Sequence, residues 1–170
     1  RGLSDRAIAW VFVAPTISND GRYVAFESNA SNLVANDTNG TDDIFVRDRL
    51  TATTERVSVA TNGTQANSIS MHASISADGR FVAFDSVASN LVASDTNLTS
   101  DIFRKDLVTG TLIRVSTATG LPGAQSTTGA GFTNSRPVVS ADGRYVVFES
   151  AATNLVAGDI NSRTDIFRKD

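Results

Sequence analysis

The chain has 170 residues, 41% hydrophobic and 19% charged, with one histidine, no cysteine and a net charge of −3. That length supports one domain with a buried core, and the lack of cysteine excludes a disulfide scaffold, thiol catalysis and thiolate zinc sites. The acidic balance argues against nucleic-acid binding, which needs a basic face, and no apolar run approaches the roughly 20 residues of a membrane-spanning helix.

The sequence opens at Arg1 and carries no signal-peptide pattern, so any such segment is expected outside it. Ala7–Ala14, the longest apolar run, is strand-prone, holds the single tryptophan (Trp10) and matches nothing later in the chain. From Pro15 the sequence repeats. Pro15–Ser28 reads PTISNDGRYVAFES; it returns as ASISADGRFVAFDS at Ala73–Ser86 and as PVVSADGRYVVFES at Pro137–Ser150. The Asp-Gly pairs start at Asp20, Asp78 and Asp142, so the periods are 58 and 64 residues. A second block follows each first one: SNLVANDTNGTDDIFVRD at Ser31–Asp48, SNLVASDTNLTSDIFRKD at Ser89–Asp106, TNLVAGDINSRTDIFRKD at Thr153–Asp170. The extra residues of the second period fall in the Gly/Ser/Thr-rich stretch Gly120–Arg136, where exposed chain tolerates insertion.

Each repeat reads as strands. Thr16–Ser18, Ser74–Ser76 and Val138–Ser140 are short strands entering an Asp-Gly turn, in which Asp bonds its own backbone and Gly accepts positive φ. Tyr23–Ser28 and its copies are nearly continuous apolar strands, as expected of burial on both faces. Ala30–Val34 has the composition for a single helical turn. Asp43–Asp48 and its copies, carrying Ile-Phe, form a third strand. Thr54–Ala60 and Thr111–Thr117 form a fourth, with Val57, Val59, Ile113 and Val115 alternating with polar residues.

Four short antiparallel strands in a period of about 40–60 residues make a blade of a β-propeller. The motifs S-x-D-G-R-[YF]-[VA]-[AV]-F and N-L-V-x-x-D-x-N-x-x-x-D-I-F resemble the TolB-like, WD-like β-propeller repeats of bacterial envelope and secreted proteins. The fold expected is therefore all-β. It has an N-terminal strand segment at residues 1–14 and blades at 15–72, 73–136 and 137–170, the last without its fourth strand. Three blades do not close a ring, since propellers need at least four. Other blades or subunits are expected to complete a ring or an open array, by self-association. Ala7–Ala14 is a candidate donated strand for the last blade, in the same chain or a partner.

Asp37, Asn39 and Asp43 recur as Asp95, Asn97, Asp101 and as Asp159, Asn161, Asp165. Oxygen-bearing side chains at this spacing on one tight loop suit calcium, a hard cation that takes carboxylate, amide and backbone oxygens. Backbone carbonyls at Thr41, Thr99 or Arg163 could add a ligand. Glu27, Asp85 and Glu149, ten residues before the first Asp of each set, could add a carboxylate or face solvent. The competing reading is plain Asx-turns without metal. Crowding of Asp37, Asp42 and Asp43 favours a cation; Arg163 inside the third loop argues the other way.

Other candidates have structural readings. Arg22, Arg80 and Arg144 are expected to pair with an Asp of the turn or a neighbouring blade rather than to form an anion site. Arg47/Asp48, Lys105/Asp106 and Lys169/Asp170 read as outward cross-strand pairs. His72 reads as a loop or core histidine, and no G-x-S-x-G elbow supports a serine hydrolase. Two of the three glutamates are repeat equivalents, a poor basis for a glycosidase pair. Asn29, Asn36, Asn39, Asn62 and Asn97 fit N-x-[ST].

The resemblance implies a non-enzymatic module for binding or scaffolding, extracellular or in a bacterial cell envelope, with a protein or glycan ligand. The alternatives are a self-assembling subunit of a surface filament or ring, and the propeller part of a secreted hydrolase.

Overall fold

The computed structural model describes residues 14–120, 124–127, 134–161 and 163–170. The described residues form eleven strands and no helix. Strands β1 (Thr16–Ile17), β2 (Tyr23–Ser28), β3 (Asp43–Asp48) and β4 (Thr53–Arg56) make one antiparallel sheet in chain order. A second consists of β5 (Ser70–Ile75), β6 (Phe81–Ser86), β7 (Asp101–Asp106) and β8 (Leu112–Arg114). The third has β9 (Asn134–Val139), β10 (Val146–Ser150) and β11 (Asp165–Lys169). These sheets are the three blades expected, and all of the candidate donated strand but Ala14 lies outside the described residues.

The Asp-Gly turn is built by side chains as well as by glycine. Ser18 Oγ donates to Asp20 Oδ1 at 2.6 Å, and the same oxygen accepts the Arg22 amide at 3.0 Å. Gly21 takes φ +71°, which an L side chain resists. Ser76, Asp78 and Arg80, then Ser140, Asp142 and Arg144, repeat the arrangement. The turn sends the chain back along a fixed register. Phe26 therefore faces Phe45, Phe84 faces Phe103 and Phe148 faces Phe167, with ring centroids 5.8, 5.7 and 5.9 Å apart.

The core sits between blades. Ile44 and Val57 of the first blade pack with Ile75, Val82 and Phe84 of the second. Ile102 and Val115 of the second pack with Val139, Val146 and Phe148 of the third. Equivalent positions consequently differ in burial by place in the series. Ile75 and Val139 are 8% and 6% exposed, whereas their counterpart Ile17 is 55% exposed. Ile44 and Ile102 are fully buried, whereas Ile166 is 67% exposed. The double burial expected of the second strand is met in β6 alone, because among the described residues only the middle sheet has another sheet on both sides.

Three local expectations are corrected. The strands entering the turn in the second and third blades are six residues long, not three, and their pairing carries register shifts. The fourth strands are shorter than expected. Past Arg56 the chain bends inward, so Val57 N bonds Ile44 O at 2.7 Å before Val59 bridges to Gln65. Ala30–Val34 forms turns and bends, since five residues cannot offset the cost of helix nucleation.

Candidate functional site

Of the nine residues singled out by spacing, six fall in the connection from the second strand to the third of each blade, and Asp43, Asp101 and Asp165 open the third strand itself. In the first, Asn39 Nδ2 donates to Asp43 Oδ2 at 2.9 Å and to Ala66 O at 3.0 Å, while its Oδ1 accepts the Thr41 amide at 3.3 Å. Ser58 Oγ donates to Asp43 Oδ1 at 2.5 Å. Between the carboxylates stands a residue that spacing alone did not mark. Arg56 Nη1 lies 3.1 Å from Asp37 Oδ1 and 3.5 Å from Asp43 Oδ2.

The second blade repeats this set. Arg114 Nη1 is 3.5 Å from Asp95 Oδ1 and 3.4 Å from Asp101 Oδ2, Asn97 donates to Asp101, and so does Ser116. Asp95, Asp101 and Arg114 are nearly inaccessible to solvent. Burial, with the Asp101 charge beside it, pushes the Asp95 carboxyl up to about 6 despite the arginine. The signal for these arginines was present: Arg-Val-Ser occurs at Arg56–Ser58 and again at Arg114–Ser116.

The third loop keeps half of the set. Asn161 donates to Asp165 at 2.9 Å and accepts the Arg163 amide at 2.8 Å. Among the described residues no arginine, Arg163 included, pairs with Asp159 or Asp165. Instead Gly158, Asp159, Asn161, Asp165, Ile166 and Arg168 are among the residues that line an open cleft of about 470 Å³.

Glu27, Asp85 and Glu149 do not join these loops. Glu27 and Asp85 sit where consecutive blades meet, beside the bulged entries of the next sheets, whereas Glu149 lies beside β9 of its own blade. His72, inside β5 rather than before it, takes φ +55°. Its amide donates to Glu27 Oε2 of the preceding blade at 3.1 Å, and its Nδ1 lies 2.7 Å from Asp85 Oδ1 of its own blade. The hydrogen bond to Asp85 holds the imidazole pKa above its ordinary value, while burial raises that of Asp85 itself. Arg136 occupies the equivalent place in β9, with φ +51°, and lies 3.9 Å from Glu149. His72 thus has a counterpart that residue identity concealed.

The remaining charged motifs are internal fasteners. Arg22 grips Asp48 with two bonds, Nε to Oδ1 at 3.0 Å and Nη2 to Oδ2 at 2.7 Å, and holds that carboxyl well below the usual range. Arg80–Asp106 and Arg144–Asp170 do the same, so the arginine's partner is the end of the third strand of its own blade. The expected outward cross-strand pairs are replaced accordingly. Lys105 is buried, and its Nζ donates to Val59 O across the blade joint at 3.2 Å. Asn97, a glycosylation-type position, is 6% exposed with its amide engaged inside the loop.

No protein-family model matches the sequence, and a search of curated proteins finds no match. Solved structures with the same fold do exist. TolB from Acinetobacter baumannii is 20% identical with a TM-score of 0.51, covering 91% of this chain and 28% of its own. A second TolB-type structure, from Agrobacterium tumefaciens, is 19% identical with a TM-score of 0.51, covering 89% of this chain and 40% of its own. The tricorn protease is 14% identical with a TM-score of 0.50, covering 82% of this chain and 11% of its own. The chain shares the β-propeller fold and spans well under half the length of each of these structures.

Proposed function

We propose that this chain is a non-enzymatic β-propeller module of a bacterial envelope or extracellular protein, which binds or scaffolds other molecules through its loops and exposed edges. One observation carries the reading: the recurrent polar residues are engaged in holding the blades together. Arg22, Arg80 and Arg144 clasp strand ends. Arg56 and Arg114 neutralise paired aspartates, and His72 bridges two blades. Residues so engaged are not available to a substrate, and fold alone does not bring a catalytic role.

In this reading arginine does at the first two loops what calcium would otherwise do. Calcium is assigned to the third loop, where Asp159, Asn161 and Asp165 line an open cleft and, although Arg168 lines it too, no ion pair reaches either aspartate among the described residues. The test is a screen of glycan and peptide hydrolysis with the whole chain. No turnover is expected. Hydrolysis abolished by His72→Gln or Asp85→Asn would overturn the reading in favour of a hydrolase.

Self-assembly into a ring or filament is a second reading. It is favoured by apolar residues exposed at the two ends of the series among the described residues, Ile17 at 55% and Ile166 at 67%. Light scattering distinguishes it: a discrete or open-ended oligomer supports assembly, and a monomer at all concentrations removes it.

A further inference from the structure

We propose that the cleft between the first two blades receives the guanidinium of an arginine side chain carried by a partner protein. This names a ligand class for the binding-module reading and rests on it. The cleft has a volume of about 290 Å³. Tyr23, Val46 and Glu55 of the first blade and Gly79, Leu107 and Val108 of the second are among its lining residues. Both blades of this joint have all four strands.

The next joint fills the same place with an arginine of its own. Arg104 lies over Phe81, its guanidinium carbon 5.0 Å from the ring centroid, and its Nη1 donates to Gly143 O at 2.6 Å. In the third blade Arg168 lies 4.7 Å from the centre of the Tyr145 ring. Each of these rings also carries the arginine of its own Asp-Gly-Arg motif, Arg80 or Arg144. Tyr23 carries only the motif arginine, Arg22, because Val46 stands where the other blades have Arg104 and Arg168. The turn carbonyl is left over as well. Arg49 donates to Gly21 O at 2.8 Å and Arg104 to Gly143 O, yet among the described residues Gly79 O accepts no hydrogen bond.

Where the cation is missing, a carboxylate has been added. Arg104 pairs across the sheet with Ile113, whereas Val46 pairs with Glu55. Among the described residues no ion pair reaches Glu55; Lys105 feels its charge but bonds Val59 O instead. A guanidinium placed here stacks on Tyr23, donates to Gly79 O and pairs with Glu55. Val46, Leu107 and Val108, the last 75% exposed, offer apolar surface to its methylene stem. Arg80 also lines the cleft, but its guanidinium is bonded twice to Asp106. Arg104 likewise stands beside Arg144, which is bonded twice to Asp170, so the fold already places one guanidinium next to another. Asp48 and Asp78, on the same wall, are held by Arg22 and Ser76. Their charge favours a cation and repels the α-carboxylate of free arginine, which points to an arginine within a polypeptide.

The test titrates N-acetyl-arginine methylamide into the full chain labelled with nitrogen-15 and follows the amide resonances. Saturable shifts centred on Tyr23, Glu55 and Gly79 are expected. The matching citrulline compound, a neutral isostere, should bind at least ~10-fold more weakly, and the lysine compound should also bind more weakly. Glu55→Gln, an exposed change that leaves the core intact, should weaken arginine binding at least ~3-fold. Val46→Arg supplies the guanidinium from within, as Arg104 does in the next joint, and should abolish the shifts. No saturable shift, equal binding of the citrulline or lysine compound, or arginine binding unchanged in both variants overturns the proposal. Tighter binding of free arginine than of the capped form assigns the cleft to the amino acid and overturns the protein partner. Binding that appears only when residues 1–13 are removed assigns the cleft to that segment and also overturns it. Failure here leaves the binding-module reading standing, whereas hydrolysis would remove that reading without touching the cleft.

Discussion

The ring of Tyr23 lies on Gly79 of the next blade so closely that a Cβ built there would stand 2.2 Å from Tyr23 Cδ2. Phe81 meets Gly143 in the same way, at 1.9 Å. The aromatic of one Asp-Gly-Arg-aromatic motif thus needs the glycine of the following motif. Backbone bonds run alongside, Asn19 N to Ala77 O at 2.9 Å and Ala77 N to Ala141 O at 3.1 Å. The repeat is therefore an interlock between blades as well as a turn within each.

Replacing Gly79 with alanine should loosen the first joint. Its φ of +75° and the occupied Cβ position each add to the cost, about 3 kcal/mol together. Gly63, with φ +85° and nothing within 4 Å, provides the control. Gly63→Ala should cost only about 1 kcal/mol. Urea unfolding of both variants separates backbone strain from steric conflict; equal losses would mean that the ring contact contributes nothing.

Arg114→Ala leaves Asp95 and Asp101 buried without their cation and should destabilise the chain by about 3 kcal/mol. The loss should ease on acidification. Asp95 already takes up its proton at about 6, above the ordinary aspartate value, and without Arg114 it does so more readily. Unfolding at about pH 5 and about pH 7.5 checks this, with the greater loss expected at the higher pH. Arg163→Ala, on the exposed third loop, should be nearly neutral.

His72 should make stability depend on pH. Its pKa is raised in the folded chain, chiefly by the hydrogen bond to Asp85, with Glu27 adding to the rise and Arg136 opposing it. A raised histidine pKa means that the folded form holds the proton more tightly. The stabilisation is complete below the ordinary imidazole value and disappears as pH rises through the raised one. Asp85, raised by burial, acts with the same sign at lower pH. The Tm of the native chain should fall across the near-neutral range, and that slope should vanish in His72→Gln; an unchanged slope places the dependence elsewhere.

In the proposed function calcium acts through the third loop. Chelation should lower the Tm of the native chain and have no effect once Asp159 and Asp165 are both asparagine, because a ligand of the folded state stabilises it by mass action. A calcium effect that survives in this double variant would locate the cation elsewhere.

Much of the fold was legible because its determinants are local. Ser18, Asp20 and Gly21 make the turn from within five residues, and the paired phenylalanines follow from the register the turn sets. The candidate site was legible in part. Spacing found Asp37, Asn39 and Asp43, and their mutual bonds are indeed local. Their charge partner Arg56 comes from a different strand and could be found only by asking what else recurs.

The sequence by itself determined the repeat, the strand order within a blade and the side chains that build each turn, since these rest on contacts a few residues apart. Tertiary structure decided what the same residues do at different places in the series. Ile102 and Ile166 occupy identical hexapeptides, yet one is fully buried and the other 67% exposed. Glu27, Asp85 and Glu149 are repeat equivalents, yet Asp85 is buried against a histidine while Glu149 is only part-buried near Arg136. Burial, and with it proton affinity and the need for a partner, depends on what packs across a face. In a serial fold that is another blade, distant in sequence or outside the chain.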